Sequence, residues 1–250
     1  MTVIANRRVA RATWWLELQA PEVAALSRPG QFVMIGYGLE SAGSFQLPRP
    51  FSVGWRDRHG TVGLLLRAFG PGTRRLSTLR EGDPVLLLGP LGRPFRVEKG
   101  RRTLCVAGGV GLAPFLFLAA EARRGGLETT LLYGEREGAY VFDPSLITSL
   151  TGGNVEVWTE DGGLGRRGKV TEGIDLSDDP LLLGCGPMPM LRAMARGALR
   201  DGRSLQVAVE EYMACGVGTC QGCVVLGADG RWRKACVDGP VFDARELDWS

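Results

Sequence analysis

The chain is 250 residues long, 44% hydrophobic and 23% charged, with a formal net charge of +3. That length admits one or two domains with a small appendage, and the near balance of charge, its arginines scattered rather than gathered in a stripe, argues against nucleic acid or an anionic membrane as partner. The single histidine, His59, lies in the polar turn Asp57-Arg58-His59-Gly60, so Ser–His and Cys–His hydrolysis are excluded and no catalytic acid, base or nucleophile is assigned.

At the start, Met1 to Arg11 lacks the apolar core of an export signal, and a reducing, cytoplasmic setting is expected. Short apolar runs then alternate with turn residues up to Val97. Gln31–Ile35, Phe51–Trp55, Val62–Arg67 and Val85–Leu88 predict the strands of an antiparallel β-barrel over residues 1–98. Within it, Arg49-Pro50-Phe51-Ser52 opens a strand, and Leu65-Leu66-Arg67 precedes the turn Gly70-Pro71-Gly72-Thr73. An arginine beside extended backbone can grip a pyrophosphate with its fork, and the turn offers amides and the Thr73 hydroxyl to phosphate oxygens. Ser52 can hydrogen-bond a flavin ring, for which Phe51 offers an apolar surface. The first motif alone reads equally well as a plain strand entry; the two in this order point to a flavin.

Residues 99–206 alternate strand and helix. Leu104–Ala107, Thr129–Tyr133, Val155–Thr159 and Leu181–Leu183 read as strands, with helices over Pro114–Arg124 and Met188–Leu199. Such units predict a parallel sheet with helices on its faces. The uncharged stretch from Leu104 to Ala120 approaches a membrane span in length, but Gly108, Gly109, Gly111 and Pro114 mark it as strand, turn and helix. Cys105, inside the first strand, reads as core packing. Two glycine turns, Gly108-Gly109-Val110-Gly111 and Gly184-Cys185-Gly186-Pro187, each follow a strand and open a helix. Free amides at such helix starts favour phosphate, and two of them at the carboxyl ends of parallel strands make a nucleotide crevice; each alone serves as well as a tight connection.

The last region, 207–250, holds four of the six cysteines, Cys215, Cys220, Cys223 and Cys236, in the spacing C-x4-C-x2-C-x12-C. Structural zinc sites pair two C-x2-C knuckles or add histidines, whereas this spacing matches the plant-type [2Fe–2S] loop. Gly216, Gly218 and Gly222 let the backbone wrap a cluster closely, with amides aimed at its sulfurs.

These motifs resemble those of the ferredoxin–NADP reductase superfamily. With the runs T-E-D-G from Thr159 and C-G-P-M from Cys185, and the ending Cys236-Val237-Asp238-Gly239-Pro240-Val241-Phe242, they resemble more closely the electron-transfer subunits of class 1B dihydroorotate dehydrogenases. The match covers nearly the whole chain. It implies FAD between barrel and nucleotide domain, held by Arg49, Pro50, Phe51 and Ser52, by Leu65, Leu66 and Arg67, and by Gly72 and Thr73. It implies NAD(H) at Gly109, Gly111, Cys185, Gly186 and Pro187, with Cys185 beside the nicotinamide rather than acting as a nucleophile; strand-end packing explains Cys185 equally well. The four C-terminal cysteines become the ligands of a [2Fe–2S] cluster in a small cluster-binding domain. The implied partner is an FMN-containing dihydroorotate dehydrogenase catalytic subunit, two of each forming a heterotetramer, with electrons passing through cluster and FAD to NAD⁺ in pyrimidine biosynthesis. Flavin subunits of NAD(P)-linked hydrogenases and of ferredoxin–NADP oxidoreductase complexes share the same endings, and a zinc-stabilised module without redox chemistry is a remoter reading. Arg136, Arg166 and Arg167 could meet a 2′-phosphate, or Glu135 a free ribose hydroxyl.

Overall fold

The computed structural model describes residues 1–36, 47–152 and 155–250. The chain begins with two strands that the apolar runs did not announce, β1 (Thr2–Ala10) and β2 (Thr13–Gln19). They join at a turn where Ala12 takes a φ of 51°. No glycine or proline marks this turn, and β1 buries little besides Val3, so neither turn chemistry nor alternation signals the hairpin.

Next come α1 (Pro21–Leu26), β3 (Phe32–Gly36), β4 (Arg49–Arg56), β5 (Thr61–Arg67), α2 (Pro71–Leu76) and β6 (Leu86–Leu91). The six strands form one antiparallel sheet in the order β1-β2-β5-β4-β3-β6. Val3 N donates to Asp83 O at 3.0 Å and Val85 N to Met1 O at 2.9 Å, so β1 meets the lead-in to β6 and the sheet curls into the expected barrel. Leu16, Leu18, Val33, Ile35, Val53, Leu64 and Leu66 fill its interior.

The second half contains β7 (Thr103–Gly108), α3 (Ala113–Gly125), β8 (Thr129–Glu135), α4 (Pro144–Thr151), β9 (Val155–Thr159), the two-residue β10 (Arg166–Arg167), β11 (Leu181–Cys185), α5 (Met188–Arg200) and β12 (Leu205–Ala208). A hairpin of β13 (Val224–Leu226) and β14 (Trp232–Lys234) follows, then β15 (Val241–Asp243). The sheet runs β10-β9-β8-β7-β11-β12-β15, parallel except where β15 lies antiparallel on β12. The apolar stretch from Leu104 to Ala120 is thus β7, a short turn and the start of α3. No helix among the described residues is long and apolar enough to cross a membrane. Helix α3 packs toward both bodies: Phe117 enters the barrel core, and Phe115 stacks on Phe95 with ring centroids 5.3 Å apart.

A division after residue 98 falls in the loop before β7, whereas one after residue 206 falls inside β12. The C-terminal segment is built into the sheet. Phe242, Ala244, Leu247 and Trp249 share a core with Met194, Leu205 and Val207, and that core also takes in Cys223, Cys236 and the barrel residues Phe32 and Met34. Arg196 Nη2 adds a hydrogen bond to Trp249 O at 2.9 Å. Phe242→Ala would empty this shared core and is expected to cost about 3–5 kcal/mol, read as a lower urea midpoint at unchanged slope.

Candidate cofactor-binding sites

Strands β4 and β5 pair only along part of their length. Their ladder runs Arg56–Val62, Trp55–Gly63 and Val53–Leu64 and then stops. Beyond it, Arg49 to Ser52 pair with β3 on the far side, and Leu65 to Arg67 pair with β2. The two expected flavin stretches are therefore the facing edges of a gap, each with one row of backbone donors and acceptors left open by the ladder. The third stretch closes one end. The Arg49 guanidinium lies over Gly72, its Nε 3.2 Å from where a Cβ would stand, and Arg49 Nη1 also donates to Leu47 O.

The gap does not use every residue as the motif suggests. Pro50 and Ser52 lie opposite Met34 and Phe32 and face the side where the C-terminal segment packs, whereas Phe51 pairs with Val33 and packs, half-buried, against the barrel core. Side-chain alternation along β4 forces this division. The Thr73 hydroxyl accepts from Phe69 N at 3.1 Å and Gly70 N at 3.0 Å and donates to Gly70 O, so it shapes the turn rather than standing open to phosphate. Leu65 and Leu66 are buried, the first in the core shared with the second domain and the second inside the barrel. The Arg67 side chain leaves the gap altogether and pairs with Glu135 at the end of β8.

The two glycine turns meet back to back, because β7 and β11 are neighbours in the sheet. A Cβ on Gly111 would collide with the Cys185 carbonyl, and one on Gly108 would lie 2.7 Å from Pro187 Cδ. Gly109, with φ 59°, turns the chain beneath the Arg67 guanidinium. Gly186 sits against Gly108, and Pro187 leads into α5, so Gly109, Gly111, Cys185, Gly186 and Pro187 share one crevice floor. Cys185 ends β11, fully buried; burial, and secondarily the charge of Glu210, pushes its thiol up, away from the thiolate form a nucleophile would use. Glu210, just past β12, is open to solvent, yet desolvation by the protein around it pushes its carboxyl up, opposed by Arg67. No motif marked Glu210: only the strand end brings it here.

Around the crevice rim, the Asp161 carboxylate of the T-E-D-G run accepts from Gly163 N at 2.8 Å and Gly138 N at 3.1 Å, joining the loops that follow β8 and β9. These amides hold its carboxyl below the usual carboxylate value. Both Glu135 carboxylate oxygens already accept hydrogen bonds, from Arg67 and Tyr133. Arg166 is occupied by Glu156 at 3.0 Å, and Arg167 packs its stem over Gly162; Arg136 stands exposed.

The cysteine loop crosses the barrel flank. A Cβ on Gly216, at φ 72°, would stand 2.6 Å from Met34 Cγ, so only glycine lets the loop lie this close. Cys223 and Cys236 are buried with their sulfurs 3.2 Å apart, Cys215 is half-buried and Cys220 exposed. The Cys220 amide points at Cys215 Sγ at 3.5 Å, and with the amides of Val217 and Thr219 it lowers that thiol to about 6. Desolvation and the neighbouring Cys223 push Cys236 up to about 12. Among the described residues no three cysteine, histidine or acidic groups converge on one metal-sized point. A two-iron cluster does not ask for that, because its four thiolates divide between two irons, and a loop of amides aimed at sulfur with two cysteines inside and two toward solvent suits it.

Gly111→Val should lower thermal stability by about 1–3 kcal/mol through overpacking, and weaken pyridine-nucleotide binding more than flavin binding, as read by separate titrations of the two ligands.

Comparison with known proteins agrees with this geometry. Residues 210–248 match the iron–sulfur cluster binding domain of dihydroorotate dehydrogenase B. The chain is 35% identical over 98% of its length to the dihydroorotate dehydrogenase B (NAD(+)) electron transfer subunit of Caldanaerobacter subterraneus subsp. tengcongensis, covering 96% of that protein. It is 37% identical over 99% of its length to that of Geobacillus thermodenitrificans, covering 97%. Among solved structures, an NADH-dependent reduced ferredoxin–NADP oxidoreductase superposes with a TM-score of 0.86 at 28% identity, covering 99% of this chain and 89% of that one. The ferredoxin reductase of carbazole 1,9a-dioxygenase shares the fold, with a TM-score of 0.68 at 24% identity over 81% of this chain and 65% of that one. Identity of this extent along nearly the whole of both chains shows that the protein belongs to the family of dihydroorotate dehydrogenase B electron transfer subunits.

Proposed function

We propose that the chain passes electrons between an FMN-containing dihydroorotate dehydrogenase catalytic subunit and NAD, holding FAD in the gap between β4 and β5 and a [2Fe–2S] cluster on its four C-terminal cysteines. The observation that carries this reading is the interrupted β4–β5 ladder. Its open edges offer the flavin main-chain partners from Arg49 to Ser52 and from Leu65 to Arg67, and the Arg49 fork over Gly72 offers the pyrophosphate a charge-assisted grip. Gly109, Gly111, Cys185, Gly186 and Pro187 leave room for a nicotinamide nucleotide to approach the crevice floor. Cys215, Cys220, Cys223 and Cys236 hold the cluster. When bound, the flavin supplies the conversion between hydride pairs and the single electrons an iron–sulfur centre carries. The protein's own residues bind and orient; no acid–base side chain is needed at the transfer.

The partner docks, on this reading, where the loop comes to the surface. Cys220 is exposed, Tyr212 is 90% exposed, and Val217 and Val237 are exposed beside them. Leu86 and Leu88 of β6 share the face of Met34, on which Gly216 sits, and continue this apolar surface. A heterotetramer of two subunits of each kind, working in the cytoplasm, completes the proposal.

Anaerobic purification with the co-expressed catalytic subunit tests it: one FAD, two irons and two sulfides per chain, with NAD⁺ reduction driven by dihydroorotate, are expected. Zinc in place of iron, or flavin that NADH does not bleach, would overturn it. Cys220→Ser should abolish dihydroorotate-driven NAD⁺ reduction yet keep NADH-to-dye activity. Arg49→Met should weaken FAD binding about ten- to hundredfold, measured by flavin titration of the stripped protein.

A further inference from the structure

Two arginines of the barrel grip one short segment of the parallel-sheet domain. Arg67, at the end of β5, sets its guanidinium against the Glu135 carboxylate at the end of β8, with Nη1 3.3 Å from Oε2 and Nη2 bonded to Oε1. The Glu135 side chain is only 5% exposed. The Tyr133 hydroxyl donates to Glu135 Oε1 at 2.9 Å and accepts from Phe142 N at 3.2 Å. Arg11, in the turn between β1 and β2, pairs with Glu137 at 3.2 Å, and its amide donates to Ala139 O at 2.9 Å. Tyr140 lies between the two arginines, its ring 5.2 Å from the Arg11 guanidinium and 5.1 Å from that of Arg67. Arg67 Nε is also 3.4 Å from Thr13 Oγ1, so the guanidinium is fixed from the barrel side as well.

Farther along the seam lie a looser Arg56–Glu121 pair at 3.6 Å and backbone contacts of Arg96 with Gln206, and the centre between them is apolar. Trp15, Leu65 and Phe95 of the barrel share a core with Phe115, Leu131 and Val141. Apolar burial holds two surfaces together without fixing how one slides on the other. A forked ion pair does fix it, and since a buried pair contributes little net stability, what it supplies is register. The place of this pair matters: Arg67 leaves the flavin gap, passes over Gly109 of the nucleotide crevice, and ends on Glu135. It spans the two half-sites that a hydride must cross.

We propose that Arg67 and Glu135 are positioning residues that lock the nucleotide-binding sheet to the barrel in the one register that lays the crevice against the flavin gap. The idea rests on the gap and crevice being the flavin and nicotinamide sites. It assigns Glu135 to neither ligand, although a carboxylate at this strand end holds the ribose in many dinucleotide-binding sheets.

The test compares the co-purified complex with two variants, Glu135→Leu and the double variant Arg67→Met, Glu135→Leu. The single variant leaves a half-buried guanidinium without its partner and melts lower; the double restores the melting temperature because both charges are gone. Stopped-flow reduction of the flavin by NADH is expected to stay at least tenfold slower in the double variant, with FAD content unchanged and the long-wavelength charge-transfer absorbance of the NAD(H)–flavin complex lost, since a displacement of about 1 Å can cost 10²-fold. A double variant that regains wild-type rate and absorbance together with stability would overturn the proposal, leaving the pair a purely structural one. If neither variant folds, Tyr140→Leu reads the same seam: about a two- to fivefold slower reduction is expected, and an unchanged rate would overturn the idea. Wild-type flavin that NADH fails to reduce would sink the functional reading itself, and this inference with it.

Discussion

Strands β4 and β5 are neighbours that part before their shared ladder is complete. On their outer edges β4 pairs with β3 from Arg49 to Ser52 and β5 pairs with β2 throughout, while on the inner edges the ladder has a register shift between Val53 and Trp55 and ends at Val53–Leu64. A barrel sealed at that point would satisfy its own backbone and present a closed wall. Because it parts, Arg49 can lie over the turn that begins α2, the edges from Arg49 to Ser52 and from Leu65 to Arg67 face one another, and the end of β5 is free to send Arg67 across to Glu135. The site follows from unfinished pairing.

The second domain meets this opening through an equally physical economy of side chains. Glycines at 108, 111 and 186 let two strand–helix turns touch, and any Cβ at Gly111 would drive them apart. The floor of the crevice is therefore main chain, able to come close to a flat ring. Near it, desolvation pushes the Glu210 carboxyl up against the opposing pull of Arg67, while Cys185 stays a thiol. Arg67 thereby links three places: the barrel edge, the strand end at Glu135 and the electrostatics of the crevice.

Much of this was legible in the sequence, and the misses share a cause. The cysteine spacing, the two glycine turns and the run from Leu104 to Ala120 announced themselves because each is a local pattern with a local reason. The hairpin of β1 and β2 did not, since Ala12 makes its turn without glycine and β1 buries only one side chain deeply. Phe51, Thr73 and Glu135 were read from the company they keep in motifs, but their directions are decided elsewhere: by alternation along β4, by the orphan amides of Phe69 and Gly70, and by an arginine 68 residues away in the chain. The placement of Glu210 and the union of β12 with β15 needed the sheet to be assembled before they had meaning.

The pairing of β12 with β15 changes how the last region should be regarded. Its two feet stand side by side, Val209 N donating to Pro240 O at 3.0 Å just beyond the Ala208–Val241 pair. Topologically, all four cysteines ride on one oversized hairpin loop whose feet are joined by sheet hydrogen bonds and anchored by Phe242 in the shared core. The spacing of the cysteines is thus set between two strand ends that the sheet itself holds together.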